Sequence, residues 1–398
     1  MGADASEACR EGALARLIAP LSLRQFFDEY YEQRHYHSRE SVADIADLLD
    51  IDRIDEIISD SELPPTSLTM AYSGNGVPPG EYTFANGNIN RGAVLDLFRQ
   101  GRTIVLPQLH YADGKLFAFC LALEREFGAR VQTNIYLTPR EASGFGIHYD
   151  DHDVIVLQVS GRKKWEIYER GSHLPFRGEK FDRRRDTPGD LIEEFILEPG
   201  QSLYLPRGLM HRAQAVSEEP SLHITVGILV QTWADFMLEA VGEASLRIPG
   251  LRKSLPRALF FHEGEAGRHK QHFSALLAEV CQQANFEVIR DMFADNFVRG
   301  QGPRVRGGLN LLGRGIQLGD VFKFRDNMLY RFDEAEDDVQ LTVAGSRIAL
   351  DKTIAGELKR VSAGPPFSLR DLRVPDSRLL VDEIGQLVAY GLLEPSDA

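Results

Sequence analysis

The stretch that decides the architecture is Gly146-Ile147-His148-Tyr149-Asp150-Asp151-His152-Asp153-Val154-Ile155-Val156-Leu157. It opens with a glycine-containing loop and runs into a continuous apolar segment, which predicts a strand. Alternate side chains of a strand share a face, so His148 and Asp150 point one way and Tyr149 the other. An imidazole and a carboxylate on one face supply two ligands of a two-histidine, one-carboxylate facial triad. Such a triad leaves three coordination positions open, which iron needs to bind a bidentate cosubstrate and O₂. His152 continues the same face and is a competing ligand if the strand stays regular.

The third ligand must come from a distant strand. Glu198-Pro199-Gly200-Gln201-Ser202-Leu203-Tyr204-Leu205-Pro206-Arg207-Gly208-Leu209-Met210-His211 fits. Pro199-Gly200 makes a turn and Ser202–Leu205 a strand, Pro206 and Gly208 break it, and His211 resumes the chain beyond the break. Around these two segments short apolar runs alternate with turn residues: Thr133–Leu137, Val154–Val159, Trp165–Tyr168, Ser202–Leu205 and His223–Val230. Regular short strands of this kind predict a barrel or sandwich.

The flanks read differently. Residues 1–79 are mixed helix and loop, with Ser22 and Ser41 as N-caps and Ala43–Ile58 at helical spacing. Thr103–Leu106 predicts a strand, and Leu116, Phe119, Leu123 and Phe127 a helix. After the strand-rich region, Trp233–Leu246 and Phe273–Phe297 predict helices. Arg299–Gly315, rich in Gly and Arg, reads as a linker. A final unit from Asp320 holds strands Val339–Val343 and Arg347–Leu350 and a helix over Ser377–Tyr390.

Beyond about 250–300 residues a single core stops growing, so 398 residues predict two or three domains. A composition of 43% hydrophobic and 26% charged residues supports a sizeable core. The formal net charge of −14 argues against nucleic acid or an anionic membrane as a bulk partner. Cys9, Cys120 and Cys281 are odd in number and far apart, which fits neither a zinc site nor a disulfide framework and points to a reducing cytoplasm. No stretch is apolar enough to span a bilayer, and residues 1–12 lack the order of a signal peptide.

The combined pattern of His-x-Asp, then Gly-x-Lys-x-Trp, then Pro-Gly-x-x-Leu-Tyr-x-Pro-x-Gly-x-x-His resembles the JmjC-type ribosomal oxygenases, from about Asn134 to Thr232. The resemblance implies an α+β protein with a mainly β catalytic core: a double-stranded β-helix of the cupin type in residues 1–232 with N-terminal helices. It also implies a helical dimerisation region in 233–300 and a winged-helix-like domain in 316–398. By this resemblance His148, Asp150 and His211 match the Fe(II) ligands. Lys163, in Gly161-Arg162-Lys163-Lys164-Trp165, matches the basic residue that pairs with the distal carboxylate of 2-oxoglutarate. Asn134, Tyr136 and Thr225 match positions near the cosubstrate and substrate.

The implied function is Fe(II)- and 2-oxoglutarate-dependent hydroxylation, with O₂, of a protein or peptide side chain. A histidine or arginine of a ribosomal protein is the implied target, in a cytoplasmic homodimer. The residues leave alternatives open. Arg162 and Lys164 allow a register error at Lys163. His223, Trp165 and Trp233 read as packing residues, and Asp151, His152 and Asp153 as groups at the rim or just behind the ligands. The substrate could be a biosynthetic peptide, and lysine demethylation by the same chemistry ranks lower. The scaffold could instead be a non-catalytic binding module whose Arg299, Arg304, Arg306 and Arg314 touch a nucleoprotein, or a cupin holding zinc or manganese.

Overall fold

The apolar run after Asp153 forms a strand with two buried faces, and that double burial organises everything around it. A computed structural model of the chain describes residues 12–396 except 43, 61, 62, 73, 74, 141, 143–145, 172, 262–265, 303–306 and 327. The chain divides into two compact units, Met1–Val230 and Gln231–Ala398.

The first unit contains β1 (Tyr36–Ser38), β2 (Thr69–Tyr72), β3 (Asn75–Gly76), β4 (Thr103–Pro107), β5 (Arg130–Thr138), β6 (Asp153–Ser160), β7 (Lys163–Arg170), β8 (Leu191–Leu197), β9 (Ser202–Leu205), β10 (Leu209–Ala215) and β11 (Ser221–Leu229). Eight of them form one sheet in the order β1-β9-β6-β11-β5-β4-β2-β3, and β10-β7-β8 form a second. Among the described residues no continuous ladder closes the two into a barrel; an isolated antiparallel bridge between His148 and His211 joins the loop before β6 to β10.

Period-two alternation explains how the large sheet serves two cores. On one face Ile155, Leu157 and Val159 of β6, Ile224, Val226 and Ile228 of β11, and Val131, Ile135 and Leu137 of β5 pack with N-terminal helical residues such as Leu14, Phe26 and Leu116. On the other face Val154 and Val156 meet Trp165 and Ile167 of the small sheet, with Leu203, Leu205 and Leu209. Each fully buried aliphatic here contributes roughly 1.5–3 kcal/mol over leaving it in water.

Sequence and structure part at identifiable places. Ser22 caps its helix as expected, in a capping box with Gln25. The helix expected over Ala43–Ile58 is two helices, Asp44–Leu48 and Ile51–Asp60. Asp50 restarts the chain by accepting from the Arg53 backbone N–H at 2.7 Å. β8 was not expected: its exposed edge sequence carries two adjacent glutamates and lacks a clean apolar period.

The second unit opens with helices Trp233–Ala244, Ala258–Phe261, Ala266–Gln283 and Phe286–Arg299. Asn285 divides what read as one helix, its side chain accepting from the Val288 N–H. The segment read as a linker contains a helix, Gly308–Arg314. Arg304 and Arg306 lie outside the described residues, and Arg314 is ion-paired with Asp320 at 2.8 Å. The remainder contains β12 (Val321–Phe324), β13 (Arg331–Glu334), β14 (Val339–Val343), β15 (Ser346–Leu350), β16 (Phe367–Ser368) and β17 (Leu393–Pro395). These form sheets β16-β12-β17 and β13-β14-β15 beside helices Lys352–Val361 and Ser377–Ala389.

Candidate metal and cosubstrate site

His148 and Asp150 precede β6 rather than lying in it, so strand alternation alone does not aim them. The bridge does. His148 N–H donates to the His211 carbonyl at 3.1 Å and His211 N–H donates back at 2.8 Å. Gly208, at φ +80°, makes the break after Pro206 possible, and its N–H donates to the Asp150 carbonyl at 3.0 Å. The two ligand-bearing segments are thereby zipped together by backbone.

Their side chains converge. One ligand atom each from His148, Asp150 and His211 lies within 4.8 Å of the others, and this is the one such cluster among the described residues. His211 Nε2 stands 3.7 Å from an Asp150 carboxylate oxygen. His148 Nδ1 is held by the Gly146 carbonyl at 2.8 Å and His211 Nδ1 by the Leu209 carbonyl at 3.0 Å. A ring that donates from Nδ1 presents a lone pair at Nε2, the tautomer a metal ligand needs. Burial and the neighbouring His148 imidazole pull His211 down to about 4, against the opposing pull of Asp150, so it is neutral at neutral pH. Burial pushes the Asp150 carboxyl up, but His148, His211 and His152 more than offset it and hold it ionised below the usual range.

His152 is not among the converging groups. Its Nδ1 faces Asp151 at 3.2 Å, and its ring lies against Gly227 of β11, where a β-carbon would come within 2.7 Å of Cδ2 and Nε2. Asp153 is a buried group behind the ligands rather than one at the rim. It is fully buried, binding Tyr204 Oη at 2.7 Å and the Arg207 guanidinium at 2.7 Å. Arg207 also binds Glu32.

The triad opens onto a cavity between the sheets, lined by Asn134, Tyr136, Thr138, Lys163, Trp165, His223 and Thr225 among others. Cross-strand register puts Thr225 beside Asn134 and Val156, and His223 beside Tyr136, so these residues form adjacent rows on the inner face. In β7 Lys163 points inward and is 3% exposed, whereas Lys164 points out to Glu194 at 2.7 Å. The Lys163 ammonium donates to Thr138 Oγ1 at 3.0 Å, and burial lowers it to about 7. Two further buried polar atoms of the lining, Trp165 Nε1 and His223 Nδ1, have no hydrogen-bond partner. A desolvated cation facing no carboxylate and two orphaned ring nitrogens are costly unless an anionic, hydrogen-bonding guest completes them. The residues present therefore fit a divalent metal and a dicarboxylate.

A family model for the JmjC domain matches residues 114–236. The match covers about a third of the chain and contains His148, Asp150 and His211. The chain is also similar to curated relatives named "Bifunctional lysine-specific demethylase and histidyl-hydroxylase NO66". The Drosophila grimshawi protein of that name is 31% identical over 261 residues, covering 63% of this chain and 36% of the relative. The Dictyostelium discoideum protein is 29% identical over 265 residues, covering 62% and 49%. The chain thus spans between about a third and a half of these relatives. Among solved structures it is similar to Escherichia coli YcfD, described as a ribosomal oxygenase and solved with cobalt and 2-oxoglutarate. That match has a TM-score of 0.53 and 16% identity, and covers 95% of this chain and 99% of the other. A second YcfD structure matches with a TM-score of 0.56. This likeness concerns the fold.

Several residues of the JmjC domain's site escape a reading of the sequence. Thr138 continues the Asn134, Tyr136 face of β5, and extending the strand by one step finds it. Trp165 and His223, read as packing, do pack. Tyr136 stacks on His223 with centroids 4.8 Å apart, and Trp165 meets His223 edge-on at 6.3 Å. Both also line the cavity. The Asp153–Arg207–Glu32 network has no local sequence signal, because Glu32 is brought in from a distant helix end.

Proposed function

We propose that the chain is an Fe(II)- and 2-oxoglutarate-dependent oxygenase that hydroxylates a side chain of a protein or peptide. The observation that carries this is the opening of the His148, Asp150, His211 cluster onto the same cavity as the buried Lys163 ammonium. The names of the relatives, and of the ribosomal oxygenase with the same fold, support a histidine of a ribosomal protein as target, with an arginine as the alternative that the sequence resemblance implies.

His148 Nε2, His211 Nε2 and one Asp150 oxygen would hold the iron. Bound iron with 2-oxoglutarate supplies oxidative decarboxylation of the keto acid and oxidation of an unactivated C–H bond. Everything else falls to the chain. Lys163 and Thr138 fix the distal carboxylate of 2-oxoglutarate by a charge-assisted bond, which sets the angle at which the keto acid faces the metal. Asn134 and Thr225, on adjacent strands, flank the cosubstrate. Tyr136 borders the substrate side; burial and the Asp150 charge push its phenol up, so it stays protonated as a donor. Val154, Val156 and Leu205 exclude water.

The domain reading we propose is 1–232 catalytic, 233–300 dimerising and 316–398 winged-helix-like. The homodimer is supported by apolar side chains left exposed on the helices after the sheets: Trp233, Met237, Leu238, Phe273 and Leu277. No described helix is long and apolar enough to cross a membrane. Cys120 and Cys281 are free thiols, which supports a cytoplasmic setting.

A succinate assay of wild type and His148→Ala, run against histidine- and arginine-containing ribosomal-protein peptides, tests the proposal. Turnover in wild type and none in the variant is expected. Equal succinate formation in both removes the metal assignment.

A further inference from the structure

We propose that His152 is a specificity-determining residue whose Nε2 accepts a hydrogen bond from an N–H of the target side chain, an imidazole or a guanidinium. This rests on the oxygenase reading and deepens it by naming the group that selects the target.

His152 sits beside the metal cluster without joining it. It lines the inner cavity that holds Lys163 and also a second, outer cavity, where it meets Gln132, Ile147, Gly178 and Phe181 among others. His148 and Asp150 line both as well, so the outer cavity is the approach to the metal cluster. A side chain on its way to the metal therefore passes His152.

The ring is held in one orientation. Asp151 Oδ2 accepts from the Gly178 backbone N–H at 2.7 Å, which anchors that carboxylate to the segment joining β7 to β8. Asp151 Oδ1 stands 3.2 Å from His152 Nδ1. A carboxylate only accepts, so the ring carries its proton on Nδ1 and leaves a lone pair at Nε2. The far edge of the ring lies over Gly227 of β11, where a β-carbon would come within 2.7 Å of Cδ2 and Nε2. Gly227 gives the ring room and has no side chain that could donate to it. Its register partner on β5 is Gln132, and Thr225 pairs with Asn134 two residues further along, so the Nε2 edge overlies the row next to the one that lines the inner cavity. No described residue donates to Nε2. The side chain is only 16% exposed. An acceptor that the protein orients, shields and leaves unmet is one that an entering donor completes.

Charge does not sort substrates here, because the outer cavity carries both signs, Arg177 and Lys180 with Asp150 and Asp151. Selection falls to directional bonds. A planar N–H group meets the in-plane lone pair of the imidazole head on. An aliphatic tip displaces water from Nε2 and leaves it bare, and a site built to hydrogen-bond its substrate rejects the analogue that lacks the donor.

The test uses the full chain loaded with Mn(II) and 2-oxoglutarate under argon. Labelled peptides are centred on histidine, 4-thiazolylalanine, arginine or norleucine, and binding is read by fluorescence anisotropy. Thiazole keeps the ring and norleucine the chain, and neither has the N–H. Wild type should bind the histidine form on the order of tenfold tighter than the thiazole form, or the arginine form tighter than the norleucine form by a similar factor. The pair that shows the gap identifies the donor as imidazole or guanidinium. His152→Leu should erase the gap, and His152→Gln, whose amide oxygen accepts, should restore part of it, both at unchanged Mn(II) affinity by calorimetry. No gap in either pair, a gap that survives in His152→Leu, or no binding of any peptide overturns the proposal. So does loss of Mn(II) binding in His152→Leu, which would make His152 a metal ligand. Succinate formation with Fe(II) and O₂ but no peptide is measured separately on wild type. Its absence alongside an intact gap sinks only the oxygenase reading; its presence without any gap sinks only the role of His152.

Discussion

Replacing Lys163 with methionine is expected to stabilise the ligand-free protein while removing its affinity for 2-oxoglutarate. Burial brings the Lys163 ammonium from the ordinary 10.5 to about 7. At about 1.4 kcal/mol per pH unit, the charged form then costs the folded state roughly 5 kcal/mol. Methionine fills the same space without a charge but removes the shorter of the two bonds that Thr138 Oγ1 accepts, leaving that from the Thr103 hydroxyl at 3.4 Å, which costs about 1 kcal/mol. The variant should thus gain roughly 4 kcal/mol where the cost is full. Below pH 7 both folded and unfolded wild type carry the proton, and the whole cost is present. Between pH 7 and 10.5 the unfolded chain binds more protons than the folded one, so wild-type stability rises with pH and the advantage of the variant shrinks. A dicarboxylate that binds the charged form raises the lysine again, so wild-type affinity for 2-oxoglutarate should fall as pH rises above 7. The assays are thermal melts without metal or ligand at pH 6 and pH 9.5, and calorimetry with 2-oxoglutarate and Mn(II) at each pH. At about 2–4 °C per kcal/mol, the variant should melt roughly 10 °C higher at pH 6. A variant no more stable than wild type at pH 6 would refute the idea that Lys163 is a desolvated cation awaiting an anion.

Other changes probe the scaffold behind the site. Arg207→Met strands the fully buried Asp153 carboxylate and should lower stability by about 3–5 kcal/mol, read by urea denaturation. The Asp153→Asn/Arg207→Met double variant should recover much of the loss, and a double variant as unstable as the single one would contradict the pairing. Gly227→Ala places a β-carbon 2.7 Å from the His152 ring. It should cost about 1–3 kcal/mol by overpacking and weaken Mn(II) binding as His152 is driven toward the ligands; unchanged Mn(II) affinity by calorimetry would count against this.

How much of this was legible in the sequence follows from which features are local. The strands from β5 to β11 with a clean apolar run were readable because both faces of the large sheet are buried and the runs are bounded by turn residues. β8, at an exposed edge, and β10, whose Leu-Met-His-Arg-Ala-Gln-Ala mixes polar groups bound for the cavity with apolar ones, gave no such run. The pairing of His148 with Asp150 was read from strand alternation, yet both precede β6. The backbone bridge to His211 and the Gly208 turn bring them together, and pairing across that distance is not written in either segment alone. Lys163 could not be told from Arg162 and Lys164 until the register of β7 against β8 and β10 put it inward.

The most direct test is anomalous diffraction at the iron edge from crystals grown anaerobically with Fe(II) and 2-oxoglutarate. One peak should appear, bonded to Nε2 of His148, Nε2 of His211 and a carboxylate oxygen of Asp150, with the keto acid on the open side and its far carboxylate on Lys163. A peak ligated by His152 in place of one of these, or no ordered metal with 2-oxoglutarate lying away from Lys163, would contradict the account.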